Sequence, residues 1–316
     1  MTILLTTGLE VSLRRNGHQP SVTDTPVLWA YQRSAVYPRQ AGEKVLVMIG
    51  ASRIQLGIST DELRKQLPGI RPVQLALDGS SFLPVLESLA EDTLFSRLLL
   101  VSVVPFYVQN RVGRAQEYVD LFDHRAHSLN DQINMWFETT FQSQFVMRSM
   151  HLPNIIENFV RNGAPPSQNY LVMNTHRSRS ADYTKIDIQD FRMKHIEKLR
   201  IGYETLAPVP ASQNDFLANV SIMETWISKI HARGGRVALV YFPVEGALLE
   251  IHEEYFPKNV FWDAMAEQVS AVTVHFLDEP SLQAFELPDA SHLDFRDAPG
   301  FTAALIELLA QQGFFH

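Results

Sequence analysis

A doubly wound parallel α/β sheet with a large helical insertion is the fold this chain predicts, on three observations. Apolar runs of strand length alternate with segments of helical periodicity. The runs stop at Gly, Pro or Asp-Gly, and three strands with two helices fit between Lys44 and Val104.

The first strand reads as Val45 to Ile49, ending at Gly50. Asp61 to Gln66 is a short helix with Thr60 as N-cap, closed by Pro68-Gly69. Val73 to Leu77 reads as the second strand, closing at Asp78-Gly79-Ser80-Ser81. Phe82 to Leu94 has helical spacing, and Arg97 to Val104 is a third strand stopped by Pro105. About 106 to 211 the rhythm breaks into helical segments rich in Phe, Met and Gln, followed by a polar link through Arg177 to Asp187. This insertion is expected to be a cap, an interaction surface or helical padding of the core. Asp215 to Ala232 is a long amphipathic helix stopped by Gly234-Gly235. Arg236 to Phe242 is the fourth strand, Glu250 to Val269 is mostly helical around Pro257, Val272 to Leu277 is the fifth strand, and Gly300 to Gln311 is the closing helix. The chain thus divides into an N-terminal arm, 1–40, and an α/β domain, 41–316, carrying the insertion.

Of 316 residues, 46% are hydrophobic and 20% charged, which suits a globular chain with a full core. A formal net charge of -8 argues against nucleic acid as partner, since phosphate-backbone binding needs a concentrated basic surface. With no cysteine there is no thiolate nucleophile, leaving serine as the candidate for covalent chemistry. No apolar run reaches the ~18 residues of a membrane span. Residues 1 to 10 are apolar without a basic start, and read either as an ordinary arm or as the tail of an anchor.

Ser52, Asp289 and His292 are the candidate chemical residues, because each ends or follows a predicted strand. In an open parallel sheet, sites gather outside the carboxyl ends of the strands, which would bring Ser52, Gly79 and His292 to one edge. A serine hydroxyl needs a base to take its proton, and an imidazole needs an orienting acid; Asp289 precedes His292 by three, within reach in a turn. The competing reading makes Asp289 a helix cap and leaves His292 to packing. The backbone amides of Ser52 and Gly79 are the candidate oxyanion donors, although Asp78-Gly79 also reads as a plain turn. Gly50-Ala51-Ser52-Arg53-Ile54 lacks the Gly-x-Ser-x-Gly elbow of α/β-hydrolases. Arg53 is a candidate for binding an anionic substrate group, against a solvated or core-paired reading. His151, His176 and His195 show no metal-ligand spacing, so neither metal nor cofactor is expected. Trp29, Trp136, Trp226 and Trp262 either line a sugar groove or fill the core.

Three blocks in order, Gly50-Ala51-Ser52-Arg53, Leu75 through Ser81, and Asp289-Ala290-Ser291-His292-Leu293-Asp294, resemble the SGNH (GDSL-like) hydrolase superfamily. They look most like its branch associated with bacterial cell-envelope polysaccharides, including O-acetylation and D-alanyl transfer proteins. That resemblance implies a three-layer α/β/α fold and an acyl-enzyme on Ser52, with His292 as base and Asp289 orienting it. It further implies a small acyl ester substrate with a carbohydrate as its alcohol part, and a place in the cell envelope with an envelope or membrane partner; the alternative is a cytoplasmic esterase. Two departures stand out. Where the family's third block carries an oxyanion-donating asparagine, this chain reads Val103-Val104-Pro105-Phe106-Tyr107, with Asn110 off pattern, and Ala51 replaces an aspartate. A catalytically weak scaffold that binds polysaccharide or an envelope partner is therefore the second expectation.

Overall fold

The computed structural model describes residues 2–125, 128–163, 166–206 and 212–315, so the expected end of the insertion at Ala211 lies outside them. Five strands form one parallel sheet: β1 (Lys44–Ile49), β2 (Ile70–Gln74), β3 (Leu98–Ser102), β6 (Arg236–Tyr241) and β7 (Val272–His275), in the order β2-β1-β3-β6-β7. β4 (Leu171–Met173) and β5 (Arg179–Ala181) make a separate antiparallel hairpin. The chain is an α/β protein with a doubly wound sheet, whose order reverses direction at β1 and β3. β1 and β6 read as near-continuous apolar runs because helices cover both faces.

The helix Leu83–Glu91 packs with Gln213–Ala232, which also packs on Lys258–Gln268; Ala298–Gln311 packs against Ser52–Gly57 and Thr60–Gln66. Buried apolar side chains on both faces, among them Trp29, Phe95, Phe216 and Phe301, join the sheet in one core.

Several element boundaries differ from the sequence reading. The N-cap of Thr60–Gln66 is Ser59, whose hydroxyl accepts from the Glu62 amide, so the cap lies one residue earlier. The second strand begins at Ile70 rather than Val73, with Pro72 inside it. β2 is an edge strand, where the missing N–H of a proline need not meet a neighbour. Leu75 and Leu77 continue the run by donating to Met48 and Gly50 carbonyls at 2.8 and 2.9 Å. Glu250 to Val269 is two helices, Gly246–Tyr255 and Lys258–Gln268, parted at Pro257.

The insertion is not purely helical. After Ala115–Arg125, Leu129–Gln144 and Leu152–Asn162 it contains the β4–β5 hairpin and then the helix Ile188–Leu206. Buried Arg177, at the hairpin turn with φ 62, pairs with Asp24 and donates to the carbonyls of Gln74 and Ala76, tying the hairpin to the sheet edge. The N-terminal arm holds two helices, Thr2–Arg15 and Pro26–Ser34. Glu10 accepts from the amides of Val146 and Met147, docking the first onto the insertion. No helix among the described residues is long and apolar enough to cross a membrane.

Candidate active site

β1 delivers Ser52 through a sharp turn. Gly50 has φ 143, and a Cβ there would lie 2.7 Å from Ser102 Cβ, so only glycine lets the strand turn this close to β3. Ser52 then opens the helix Ser52–Gly57, where first-turn amides have no intrahelical acceptor. On the far side, the loop after β7 folds back before the helix Ala298–Gln311. Ala290 sits at φ 73, a left-handed conformation that costs an alanine roughly 1–2 kcal/mol. The kink lets Asp289 Oδ1 accept from the amides of Ser291 and His292 at 3.0 and 2.8 Å. Asp289 and His292 therefore belong to a turn and not to a helix N-terminus.

These two loops bring Ser52, His292 and Asp289 together. Ser52 Oγ is 2.7 Å from His292 Nε2, and His292 Nδ1 is 2.8 Å from Asp289 Oδ2. An ionised carboxylate only accepts, so Nδ1 carries the proton and Nε2 turns its lone pair to the serine. Burial alone would push the Asp289 carboxyl up, but the His292 imidazole, its hydrogen bond and the Tyr183 hydroxyl outweigh it and hold the group well below the carboxylate range. All three line a cavity of about 770 Å³.

Gly79 lies in the wall of that cavity with φ 61 and open space where a Cβ would be. Ser102, at the carboxyl end of β3, lines it too. Asn110 instead folds back on its own helix, its side-chain amide donating to the Phe106 carbonyl. Arg53 is not solvated. It is buried, with Nη2 3.3 Å from His252 Nε2 and the guanidinium over the Tyr241 ring. Of the four tryptophans, Trp29, Trp226 and Trp262 are core and Trp136 is exposed on the helix Leu129–Gln144. None lines the cavity, and the core reading holds for Trp29, Trp226 and Trp262.

The insertion supplies groups the sequence reading did not select. The Tyr183 hydroxyl donates to Asp289 Oδ2 at 2.7 Å, and Asp294 Oδ2 accepts the Tyr183 amide at 3.1 Å, pinning the insertion to the loop. Burial and the neighbouring carboxylate push the Tyr183 phenol far up, so it stays a donor. His195, from the helix Ile188–Leu206, places Nε2 3.0 Å from Ser291 Oγ, itself 2.9 Å from His292 Nδ1. Burial pushes the His195 imidazole down to about 4, against the pull of Asp289. His195 is thus part of the site, although its spacing in the chain gave no sign of it. His195, Asp289 and His292 bring ligand atoms within 4.8 Å of one another, a donor set a metal ion could take. A metal there would have to break the His292–Asp289 hydrogen bond.

No family model and no curated protein matches the chain. Among solved structures, it is similar to the crystal structure of TesA at 13% identity and a TM-score of 0.38, over 85% of this chain and 99% of that one.

Proposed function

We propose that the protein is a serine esterase or O-acyltransferase of the SGNH type, working through an acyl-enzyme on Ser52. The observation that carries this reading is the unbroken succession Ser52 Oγ, His292 Nε2, His292 Nδ1, Asp289 Oδ2, opening into the cavity. Ser52 Oγ attacks the ester carbonyl while His292 Nε2 takes its proton. The imidazolium that forms is stabilised by Asp289, and the same proton passes to the departing alcohol, leaving the acyl group on Ser52. Water ends the cycle as hydrolysis; a second alcohol ends it as transfer. The Ser52 and Gly79 amides are assigned to the tetrahedral oxyanion, each donor being worth ~3 kcal/mol in such sites. The Ser102 hydroxyl is assigned the third place, in lieu of the asparagine.

By the resemblance of the three blocks, the acyl group is small, its alcohol is a carbohydrate and the setting is the cell envelope, where a membrane or envelope partner would meet the insertion. The scaffold alternative rests on the missing asparagine. Both are tested by turnover of phenyl acetate with wild type and Ser52→Ala. Ser52-dependent release of phenol supports the esterase, and equal rates in the two proteins remove Ser52 from the mechanism.

A further inference from the structure

We infer that the ester this site takes carries an anionic group, a carboxylate, phosphate or sulfate, received by the Arg53 guanidinium inside the cavity that holds Ser52. The inference rests on the serine-esterase reading and names its substrate class.

Three arginines are buried among the described residues: Arg33, Arg53 and Arg177. Arg33 is paired with Asp92 and Arg177 with Asp24. Arg53 is 9% exposed and has no carboxylate partner; its Nη1 is buried without a hydrogen-bond partner, and its other polar contacts are to neutral His252 and the Tyr241 hydroxyl. A guanidinium keeps its charge at any working pH and matches the oxygens of a carboxylate or phosphate with two parallel donors. A buried charge is ordinarily paired, and here the protein offers no counter-ion.

The groups that touch the guanidinium are neutral. Nη2 points at His252 Nε2, which must accept; His252 Nδ1 is then protonated and meets the Tyr241 hydroxyl. Burial first, and Arg53 after it, push the His252 imidazole well down, so it adds no charge. Burial raises the phenols of Tyr107 and Tyr203, and Tyr241 reaches about 12, so none supplies a phenolate.

Arg53 and His252, the two partners of this contact, both line the cavity that holds Ser52. Exposed Lys198 stands in the same wall. The acids there are engaged: Asp78 lies 3.4 Å from Arg179, and Asp289 holds His292. An entering anion meets buried Arg53, which has no carboxylate partner, with Lys198 further along the same wall.

Three esters separate the possibilities: neutral phenyl acetate, 4-acetoxybenzoate with the charge on the alcohol part, and monophenyl succinate with the charge on the acyl part. We expect kcat/KM for one charged ester, relative to phenyl acetate, to fall about 10- to 100-fold in Arg53→Gln and less in Arg53→Lys. The ester that responds identifies which part of the substrate bears the charge. Ser52-dependent turnover with both ratios unchanged in Arg53→Gln overturns the inference and leaves the nucleophile standing. Should wild type turn over none of the three, the serine-esterase reading fails by that result. Calorimetric titration with phosphate, sulfate and succinate then decides for the anion site: binding lost in Arg53→Gln and retained in part by Arg53→Lys supports it, and no Arg53-dependent binding overturns it. Near-ultraviolet circular dichroism verifies that each variant is folded.

Discussion

The Tyr183 hydroxyl and the His292 imidazole donate to the same oxygen, Oδ2 of Asp289, at 2.7 and 2.8 Å. One donor comes from the insertion and the other from the loop after β7. The carboxylate is therefore held by two parts of the chain more than a hundred residues apart, and the insertion belongs to the site.

Removing the tyrosine hydroxyl in Tyr183→Phe keeps the ring among Tyr170 and Phe191 and takes away one charge-assisted bond. Ester turnover should fall about tenfold, corresponding to ~1.4 kcal/mol in the barrier. Steady-state kinetics on phenyl acetate reads it; an unchanged kcat would mean that the bond does not support the acid.

Asp289→Asn keeps the shape and removes the charge. The asparagine amide can donate to Nδ1, which favours the tautomer with its proton on Nε2, so Ser52 loses its base. By analogy with other triads, kcat should drop by roughly 10³- to 10⁴-fold, with folding intact by circular dichroism.

His195 gives a pH-dependent prediction. Its ordinary value is 6.5 and the folded value about 4, so between those values the unfolded chain binds the extra proton. This contribution to stability is present above pH ~6.5 and is lost as pH falls through ~4. His275, also pushed down to about 4 by burial, acts in the same direction. Thermal melts should show declining stability across that window, and His195→Gln should flatten the decline. A slope identical to wild type would contradict a buried neutral His195.

Gly50→Ala should lose both stability and activity. Its Cβ would fall 2.7 Å from Ser102 Cβ at φ 143, so the turn that aims Ser52 has to shift. A loss of about 2–3 kcal/mol is expected in urea melts. Wild-type stability and turnover in the variant would show that the turn tolerates a side chain.

The sheet was legible because its strands are apolar on both faces and end in Gly, Pro or Asp-Gly, signals that need only local sequence. Ser52 could be singled out because it follows the glycine that ends β1, and Asp289 and His292 because they lie three apart in one local turn of the loop after β7. Tyr183 and His195 could not. They sit in a stretch with no strand rhythm, and only the tertiary path of the β4–β5 hairpin and the helix Ile188–Leu206 carries them to Asp289 and Ser291. The hairpin itself has three-residue strands, too short for a period of two to show. Pro72 hid the start of β2, since a proline argues against a strand unless its edge position is known. For Arg53 both readings stayed open, because whether a carboxylate meets an arginine depends on packing from elements about two hundred residues away.

The central claim is that His292 activates Ser52, and reaction with a fluorophosphonate tests it most directly. Intact and peptide mass should show one adduct on Ser52 in wild type, none in Ser52→Ala, and labelling slowed by at least about a hundredfold in His292→Ala. A folded wild-type protein that takes no adduct, or labels equally fast without His292, would contradict the account.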